Sequence, residues 1–319
     1  MRYALMLEPQ QGLWYAEQVE IARLAESLGF ETLFRSDHYQ SFPGPAGLPT
    51  TDAWAVLAGL ARETSTIGLG ALVSPATFRL PGNLAKVVAT VDEMSGGRVE
   101  LGMGAGWNEE EHQQHGFPFP GIGDRADMLE EQIQVVKGLF QEPDGWSFHG
   151  RHYTVEGARF APRRPAGNPI RLILGGQGTP RSLRLAARYA DEFNLTSSGP
   201  EKAAEIYAGL AEACRAIGRD PGSITRSAMV TTLIAADEAA LERRADALLD
   251  RIGRSGDGDD PRRWISARRS RWVMGSHEEA RESIRRFAAA GVERIMLQTL
   301  LPWDLTMIEE MGRELVSRA

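Results

Sequence analysis

Polar and ionisable side chains follow short apolar runs at several points of the sequence. Ser36-Asp37-His38 follows the run Thr32–Phe34, and the glycine-rich segment GGQGT follows the run Ile170–Leu174. An imidazole can give or take a proton near neutral pH, and glycine lets a ligand approach the backbone closely. These residue types predict a binding site with one proton-transfer group, if the fold brings the ends of the runs together. The alternative is an ordinary turn, in which His38 only caps a strand.

The segment LILGGQGTPRS predicts an anion site. Thr179 suits the N-cap of the following helix, and Pro180 suits its first position. Free amide groups and the positive end of the helix dipole favour a phosphate at such a place. A tight turn without a ligand would explain the same glycines. The predicted phosphate-binding residues are Gly175, Gly176, Gln177, Gly178 and Thr179.

Other chemical motifs are weaker. The glycines of LGMGAGW do not have the G-x-G-x-x-G spacing of a dinucleotide-binding turn. His112 and His115 lie beside Glu109–Glu111, as metal ligands could, but the HExxH order is missing and a solvated helix face explains these residues more simply. A G-x-S-x-G nucleophile elbow is absent from the sequence. We therefore expect neither a metal site nor nucleophilic hydrolysis.

The composition is that of a globular protein, with 42% hydrophobic and 25% charged residues among 319. A net charge of −7 argues against nucleic acid as a partner, because phosphate backbones bind basic surfaces. Cys214 is the single cysteine and cannot form an internal disulfide, as expected in a reducing compartment. No apolar run has the length of a signal peptide core or a membrane span. We expect a cytoplasmic protein that binds a small-molecule substrate and no membrane.

An alternation of strands and helices must position these segments. Eight apolar runs, each followed by an amphipathic helical pattern, predict an α/β protein with a closed (β/α)8 TIM barrel, in a single domain over residues 1–319. An open doubly wound sheet is the alternative. In such barrels the functional residues follow the carboxyl ends of strands, where the polar segments lie. The predicted strands are Tyr3–Leu7, Thr32–Phe34, Ile67–Val73, Val99–Gly104, Ile170–Leu174, Asp191–Leu195, Ser227–Ala235 and Arg294–Gln298.

Two segments interrupt this alternation. Trp146–Pro165 is predicted to be an irregular or hairpin insertion. The stretch from Gly253 to Trp264 is polar, charged and rich in glycine, and is predicted to be a mobile insertion.

Three long segments resemble the luciferase-like oxidoreductases that use the deazaflavin coenzyme F420. They are GFETLFRSDH, IGLGALVSPATFRLPGNLAKVVATVDEMSGGRVELGMGAGWNEEEHQQHGFPF and ILGGQGTPRSLRLAARYADEFN. The similarity covers residues 1–226 and resumes at Val273–Thr299. The family has a bacterial luciferase-like TIM barrel with insertions, in agreement with the alternation of elements.

The resemblance implies roles for residues at matching positions of the second and third strands. Asp37 and His38 would lie beside the deazaflavin ring, with His38 as the acid–base or substrate-orienting residue. Asp37 would bind an amide or hydroxyl group of the cofactor. Leu72 and Val73 would form a bulge behind the ring, usually with a non-prolyl cis peptide bond.

The resemblance also implies roles for the loop after the fourth strand and for the glycine-rich turn. Ala105, Gly106 and Trp107 would flank the cofactor, and Gly175–Thr179 would bind its phosphate. Trp107 replaces the proton-donating glutamate of the sugar-phosphate dehydrogenases in this family. This replacement argues against sugar-phosphate oxidation and for a more apolar pocket.

These observations favour an F420-dependent oxidoreductase with His38 as its acid–base group. The alternatives are an FMN-dependent monooxygenase supplied by a separate flavin reductase, and a cofactor-free barrel that binds a ligand without turnover. The substrate walls are predicted to be Phe148–Val155 and the loop Tyr39–Pro49. The resemblance further implies a homodimer, whose interface could include Trp54 and Leu57. In a monomer the same two residues would belong to the core.

Overall fold

The strands of the protein, seen in a computed structural model, build one closed barrel. The structure describes residues 1–165, 168–196, 198–253 and 260–317. Within these residues the strands are β1 (Arg2–Leu7), β2 (Thr32–Arg35), β3 (Gly68–Pro75), β4 (Val99–Gly104), β5 (Trp146–His149), β6 (Thr154–Ala158), β7 (Arg171–Gly176), β8 (Glu192–Thr196), β9 (Thr225–Ala235), β10 (Val273–Ser276) and β11 (Arg294–Thr299).

Eight of these strands form the barrel, in the order β1-β2-β3-β4-β7-β8-β9-β11, and β11 pairs with β1 to close it. Each pairing around the barrel is parallel. The predicted (β/α)8 barrel is therefore confirmed, and the open sheet is excluded. Between β3 and β4 the register shifts from Ala71 to Ser74, which marks a bulge at Leu72 and Val73.

The helices surround the barrel and begin at residues suited to capping. Ser276 and Glu279 form a capping box at the start of α10, since each side chain accepts the other residue's backbone N–H. The helices are α1 (Tyr15–Ser27), α2 (Ala53–Glu63), α3 (Pro81–Ser95), α4 (Glu109–His115), α5 (Ile122–Gln141), α6 (Pro180–Tyr189), α7 (Pro200–Ala216), α8 (Glu238–Ile252), α9 (Pro261–Ser266), α10 (His277–Ala289) and α11 (Leu305–Met311).

The first insertion is a two-stranded antiparallel hairpin of β5 and β6, as the sequence indicates. Its turn is fixed to the side of α5, because the Glu131 carboxylate accepts the backbone N–H groups of Arg151, His152 and Tyr153. The hairpin therefore packs against the outside of the barrel.

The second insertion differs from its prediction in the part that the structure describes. Residues 254–259 lie outside the described residues, but Pro261–Ser266 forms α9 with Trp264 and Ile265 buried. The Trp264 ring packs edge-on against Trp272 at a centroid distance of 5.2 Å. The polar composition of the neighbouring residues concealed this short amphipathic helix. The prediction of a mobile segment is therefore wrong for α9.

The core contains both residues that were candidates for a dimer interface. Trp54 is 1% exposed, Leu57 is completely buried, and the Trp54 indole N–H donates to Ser74 Oγ at 2.9 Å. The interpretation of these residues as interface is wrong, and their interpretation as core is correct. The homodimer itself stays a prediction. In the described part of the chain, no helix combines the length and the apolar character that a membrane crossing requires.

An ion cluster closes the amino-terminal end of the barrel. The Arg294 guanidinium, completely buried at the start of β11, lies 2.7 Å from Glu100 and 3.2 Å from Glu192, and it donates to Thr32 Oγ1. Burial alone would raise the pKa of Glu100, but the hydrogen bonds and charge of Arg294 hold this pKa below its usual range. The cluster links β2, β4, β8 and β11 and leaves the opposite end of the barrel for a ligand.

Candidate active site

A cavity of about 490 Å³ opens at the carboxyl ends of the barrel strands. The barrel topology brings these ends together, and residues on or directly after each of the eight strands contribute to the lining. The lining residues are Met6, Glu8, Gln10, Gln11, Ser36, His38, Phe42, Pro43, Leu72, Val73, Pro75, Gly104, Ala105, Gly106, Trp107, Gly175, Gly176, Gln177, Asn194, Thr196, Met229, Gln298 and Leu300.

His38 lines this cavity and is held from behind by a buried carboxylate. Its Nδ1 atom lies 2.9 Å from Oε2 of Glu111, a residue of α4 whose side chain is completely buried. The second carboxylate oxygen of Glu111 accepts the backbone N–H of Tyr39 at 2.5 Å and that of Gln40 at 3.2 Å. Glu111 therefore fixes both the His38 ring and the backbone that follows it.

The charge of Glu111 determines the tautomer of His38. Burial alone would raise the pKa of Glu111, but the hydrogen bonds from His38, Tyr39 and Gln40 hold it below its usual range. An ionised carboxylate can only accept hydrogen bonds. The proton of neutral His38 therefore lies on Nδ1, and Nε2 keeps a lone pair that can take a proton.

Aromatic rings enclose the exposed side of His38. The Phe42 ring lies edge-on at 4.4 Å from the imidazole centroid, and the Trp107 ring lies edge-on at 6.0 Å. Phe42 belongs to the loop that was predicted as a substrate wall, and Trp107 is 65% exposed at the rim of the cavity. The surroundings of His38 are thus largely apolar.

Asp37 does not line the cavity, although it precedes His38. Its side chain is 1% exposed, accepts two hydrogen bonds from Arg79 and accepts another from Ser74 Oγ at 3.0 Å. Arg79 also donates to Asp52, the N-cap residue of α2. The carboxylate that was expected to bind an amide or hydroxyl group of the cofactor is instead satisfied inside the protein by Arg79 and Ser74. Asp37 instead anchors the segment that carries His38.

The bulge of β3 forms the floor of the cavity. The peptide bond between Leu72 and Val73 is cis, as the resemblance implied. Glycines lie on either side of the bulged Val73. A Cβ atom added to Gly104 would lie 2.6 Å from Val73 Cγ2, and one added to Gly175 would lie 3.1 Å from Val73 Cγ1. These glycines therefore leave room for the bulge within the cavity.

The glycine-rich turn joins β7 to α6 at the same end of the barrel. Gly175, Gly176 and Gln177 line the cavity, whereas Gly178 and Thr179 do not. The Thr179 hydroxyl caps α6 by accepting the backbone N–H of Ser182. Among the described residues, the backbone N–H groups of Gln177 and Gly178 have no hydrogen-bond acceptor. The turn thus offers free amide groups at a helix amino terminus.

Two expectations from the sequence need correction. The solvated-face interpretation of α4 holds for Glu109, Glu110 and His115 but is wrong for Glu111 and His112, which are buried. Nε2 of His112 lies 2.6 Å from Thr77 Oγ1, and its Nδ1 lies 2.6 Å from the Asn108 carbonyl. A helix of seven residues is too short for a periodic pattern to reveal its buried side.

The predicted substrate wall at Phe148–Val155 is also wrong. None of these residues lines the cavity, because the hairpin packs on the outside of α5.

One cluster of metal-ligand composition lies elsewhere among the described residues, at Asp124, Asp127 and His152. Arg151 lies 3.1 Å from Asp124, and Arg181 also pairs with Asp127. Arginine side chains therefore already balance the charge of these carboxylates.

Three functional candidates on β1 and β11 carried no recognisable sequence signal. All three residues, Glu8, Gln11 and Gln298, line the cavity. Glu8 directly follows β1, Gln11 ends the 3-10 turn after β1, and Gln298 lies near the end of β11. Gln11 is 1% exposed, and neither its amide oxygen nor its amide nitrogen has a partner among the described residues. Their position near the carboxyl ends of strands was the one available signal.

A closed (β/α)8 barrel with an oriented histidine and a glycine-rich helix turn at its mouth has the architecture of a barrel enzyme. The family model for luciferase-like monooxygenases matches residues 3–294. The chain belongs to this family. Relatives that are similar to it in sequence include an oxidoreductase and monooxygenases.

Curated relatives resemble the chain over different shares of its length. An uncharacterised protein of Mycobacterium tuberculosis is 34% identical over 194 residues, which are 55% of this chain and 66% of that protein. The match thus spans just under two thirds of the mycobacterial protein. The F420-dependent glucose-6-phosphate dehydrogenase of Intrasporangium calvum is 28% identical over 316 residues, with 88% of each chain covered.

Solved structures share the fold of the whole chain. Monooxygenase RslO1 of Streptomyces bottropensis has a TM-score of 0.83 at 20% identity and covers 100% of this chain and 99% of its own. The F420-dependent tetrahydromethanopterin reductase of Methanopyrus kandleri has a TM-score of 0.80 at 22% identity, with 99% of both chains covered. Enzymes that use F420 and monooxygenases therefore share this barrel.

Proposed function

We propose that this protein transfers a hydride between coenzyme F420 and a small organic substrate, with His38 as the acid–base group. The observation that carries the proposal is the contact between His38 Nδ1 and the buried Glu111 carboxylate, which leaves Nε2 as the free ring nitrogen of a residue that lines the cavity. A group that moves one proton is what an alcohol–carbonyl conversion needs beside a hydride carrier.

Several features of the cavity fit a deazaflavin. The bulged Val73 between Gly104 and Gly175 offers an apolar support for a flat ring. The unpartnered amide of Gln11 suits the polar edge of such a ring or of a substrate. The free N–H groups of the turn at Gln177 suit a phosphate. When bound, a deazaflavin supplies a carbon that accepts or gives a hydride.

The residues of this chain would then transfer the proton. As the substrate C–H bond gives up its hydride, Nε2 of His38 takes the hydroxyl proton and the carbonyl forms. In the reverse direction Nε2 returns that proton to the oxygen. The carboxylate of Glu111 stabilises the imidazolium that exists between these events, since the two groups are in direct contact and shielded from water. Phe42 and Trp107 limit the access of water to the ring.

A titration of the purified protein with each cofactor tests the proposal. Saturable quenching of tryptophan fluorescence by F420, with no response to FMN, is the expected result. A response to FMN alone would contradict the choice of cofactor. No response to either would support a barrel that binds a ligand without turnover.

An FMN-dependent monooxygenase is the second candidate function. The description of the matching family and the monooxygenase fold neighbours favour it. Reduced flavin reacts with oxygen, so such an enzyme would need a reductase and would consume oxygen. Oxygen uptake that depends on reduced FMN would establish this alternative.

A further inference from the structure

The cavity contains a second ionisable group besides His38. Glu8 follows β1, is 7% exposed and lines the cavity. Gln10 donates to one of its carboxylate oxygens at 2.7 Å, and Gln298 donates to the other at 2.5 Å. The proton transfer proposed for His38 does not use this group.

The neighbours of Glu8 are oriented to hold an ionised carboxylate. The Ser36 hydroxyl donates to the amide oxygen of Gln10 at 2.6 Å, and the Thr231 hydroxyl donates to that of Gln298 at 2.7 Å. Both amide oxygens are therefore occupied, and both amide NH₂ groups face Glu8. Each carboxylate oxygen keeps a free acceptor position for a ligand.

No cation of the described residues pairs with Glu8. The lining of the cavity includes neither lysine nor arginine, and within 4.0 Å of the Glu8 carboxylate the described residues place no cationic nitrogen. The buried Arg35 donates to the Ser36 carbonyl, Gln18 and Thr51 instead. The charge of Arg35 reaches Glu8 only from beyond 4.0 Å, so a cationic ligand in direct contact with the carboxylate would stabilise it further.

The topology places Glu8 away from the predicted cofactor anchor. Around the barrel, β1 and β7 are separated by three strands in either direction, so Glu8 and Gly176 lie on opposite sides of the mouth. Gln11, with its unpartnered amide, lies on the same side as Glu8. A ligand whose phosphate occupies the turn after β7 leaves this side for the substrate.

We propose that Glu8 forms a cation subsite for an ammonium group of the substrate, with the Gln11 amide oxygen as a further acceptor. The substrate class is then an amino alcohol or the corresponding amino ketone. The alcohol and ketone rest on the proposed hydride transfer, whereas the cation subsite does not depend on it. Anionic substrates are disfavoured on this side of the cavity, because the lining offers them neither a lysine nor an arginine side chain.

Three small probes of nearly equal shape test the subsite without any cofactor. 1-Amino-2-propanol, 2-butanol and lactate carry an ammoniomethyl, an ethyl and a carboxylate group on the same alcohol carbon. Calorimetric titration of the wild-type protein is expected to give the tightest binding for the ammonium probe, roughly tenfold or more tighter than for 2-butanol, and the weakest for lactate. Equal binding of the three, tighter binding of lactate, or binding of none overturns the proposal.

Variants assign the preference to Glu8. Glu8→Gln should abolish most of the ammonium preference, while the exposed Glu20→Gln on α1 makes the same charge change and should keep it. A Glu8→Gln protein that retains the full preference overturns the assignment. If Glu8→Gln folds poorly, the order of affinities of the three probes for the wild-type protein still tests the subsite. If F420 fails to bind but the ranking holds, only the proposed hydride transfer fails.

Discussion

His38 and Glu111 are 73 residues apart in the chain and meet only because β2 and the loop after β4 end at the same face of the barrel. His38→Ala should retain the bound cofactor and lower turnover by roughly 10²–10⁴-fold, since the proton-transfer group is lost. Steady-state kinetics and cofactor titration measure the two effects. The exposed His149→Ala on the hairpin is the matched control. Wild-type turnover in His38→Ala would show that this histidine only shapes its loop.

Glu111 is the positioning residue for His38. Glu111→Gln keeps the shape and one acceptor oxygen but removes the charge that stabilises the imidazolium. We expect turnover to fall by less than in His38→Ala. We also expect the pH profile of turnover to be displaced and the affinity for the cofactor to be unchanged. Glu110→Gln, on the exposed side of the same helix, is the control. An unchanged pH profile in Glu111→Gln would limit Glu111 to a structural role.

The residues of the site were only partly predictable. His38 and the glycine-rich turn could be found because each follows an apolar run and the topology assembles such ends, whereas Val73 was indicated by the family resemblance. Glu111 could not, since EEEH resembles a solvated surface and the direction of a short helix depends on tertiary packing. The inward position of the Asp37 carboxylate depends on Arg79, which is 42 residues away in the chain.

At the scale of single elements, the turn between β7 and α6 offers a clean test of phosphate binding. Gln177 is exposed and lines the cavity, so Gln177→Glu adds a negative charge to the turn with little steric effect. Cofactor affinity should fall about tenfold or more, because like charges would face each other. Gln141→Glu at the carboxyl end of α5 makes the same charge change as a control.

Gly176 is a poorer site for this test. A Cβ atom there would lie 3.2 Å from both Phe193 Cε2 and Ser182 Cβ, so a loss of affinity could reflect distortion of the turn. Unchanged affinity of the folded Gln177→Glu protein would place the phosphate elsewhere.

The Glu26 side chain joins α1 to the start of β3. One carboxylate oxygen accepts the backbone N–H groups of Ser65, Thr66 and Ile67. Partial burial would raise the pKa of Glu26, but these hydrogen bonds lower it to about 2 from its ordinary value of 4.5. The contribution of the carboxylate to stability is therefore complete above pH 4.5 and is lost as the pH falls towards 2.

Glu26→Ala should consequently lower the free energy of unfolding by about 1–2 kcal/mol at neutral pH. The difference from wild type should shrink below pH 4.5, which denaturant titrations at several pH values can measure. Glu20→Ala controls for the change in helix propensity on α1. A difference that is independent of pH would contradict the role of the carboxylate charge.

At the scale of the whole molecule, the barrel was predictable because eight strand–helix repeats leave few topologies for one parallel sheet. The barrel closes where its last strand, β11, pairs with its first strand, β1, and no local sequence pattern could indicate the register of this pairing. β10 was missed for a similar reason: it is only four residues long and pairs with the end of β9 outside the barrel ring. Long-range pairing, rather than local propensity, determines these features.

The ion cluster around Arg294 is the whole-molecule feature that fixes how the strands meet at the amino-terminal end of the barrel. Arg294→Met would remove the buried cation that contacts Glu100 and Glu192, and it would leave Arg171, 3.1 Å from Glu192, as their remaining cationic partner. Breaking a buried pair with no other partner costs about 3–5 kcal/mol, and Arg171 should keep the loss at or below this range, whereas an exposed pair is worth about 1 kcal/mol or less. Arg226→Met, which breaks the exposed pair with Glu293, is the matched control.

Denaturant unfolding of both variants at neutral pH measures how much each substitution lowers the free energy of unfolding. The double variant Glu100→Gln with Arg294→Met should recover part of the loss in the free energy of unfolding, because it also removes one of the two carboxylate charges that share the remaining Arg171. Burial raises the pKa of Glu192, so moderate acidification should protonate this residue. The difference in the free energy of unfolding between Arg294→Met and wild type should then become smaller. Equal losses in Arg294→Met and Arg226→Met would mean that β-sheet pairing and the apolar core close the barrel without the cluster.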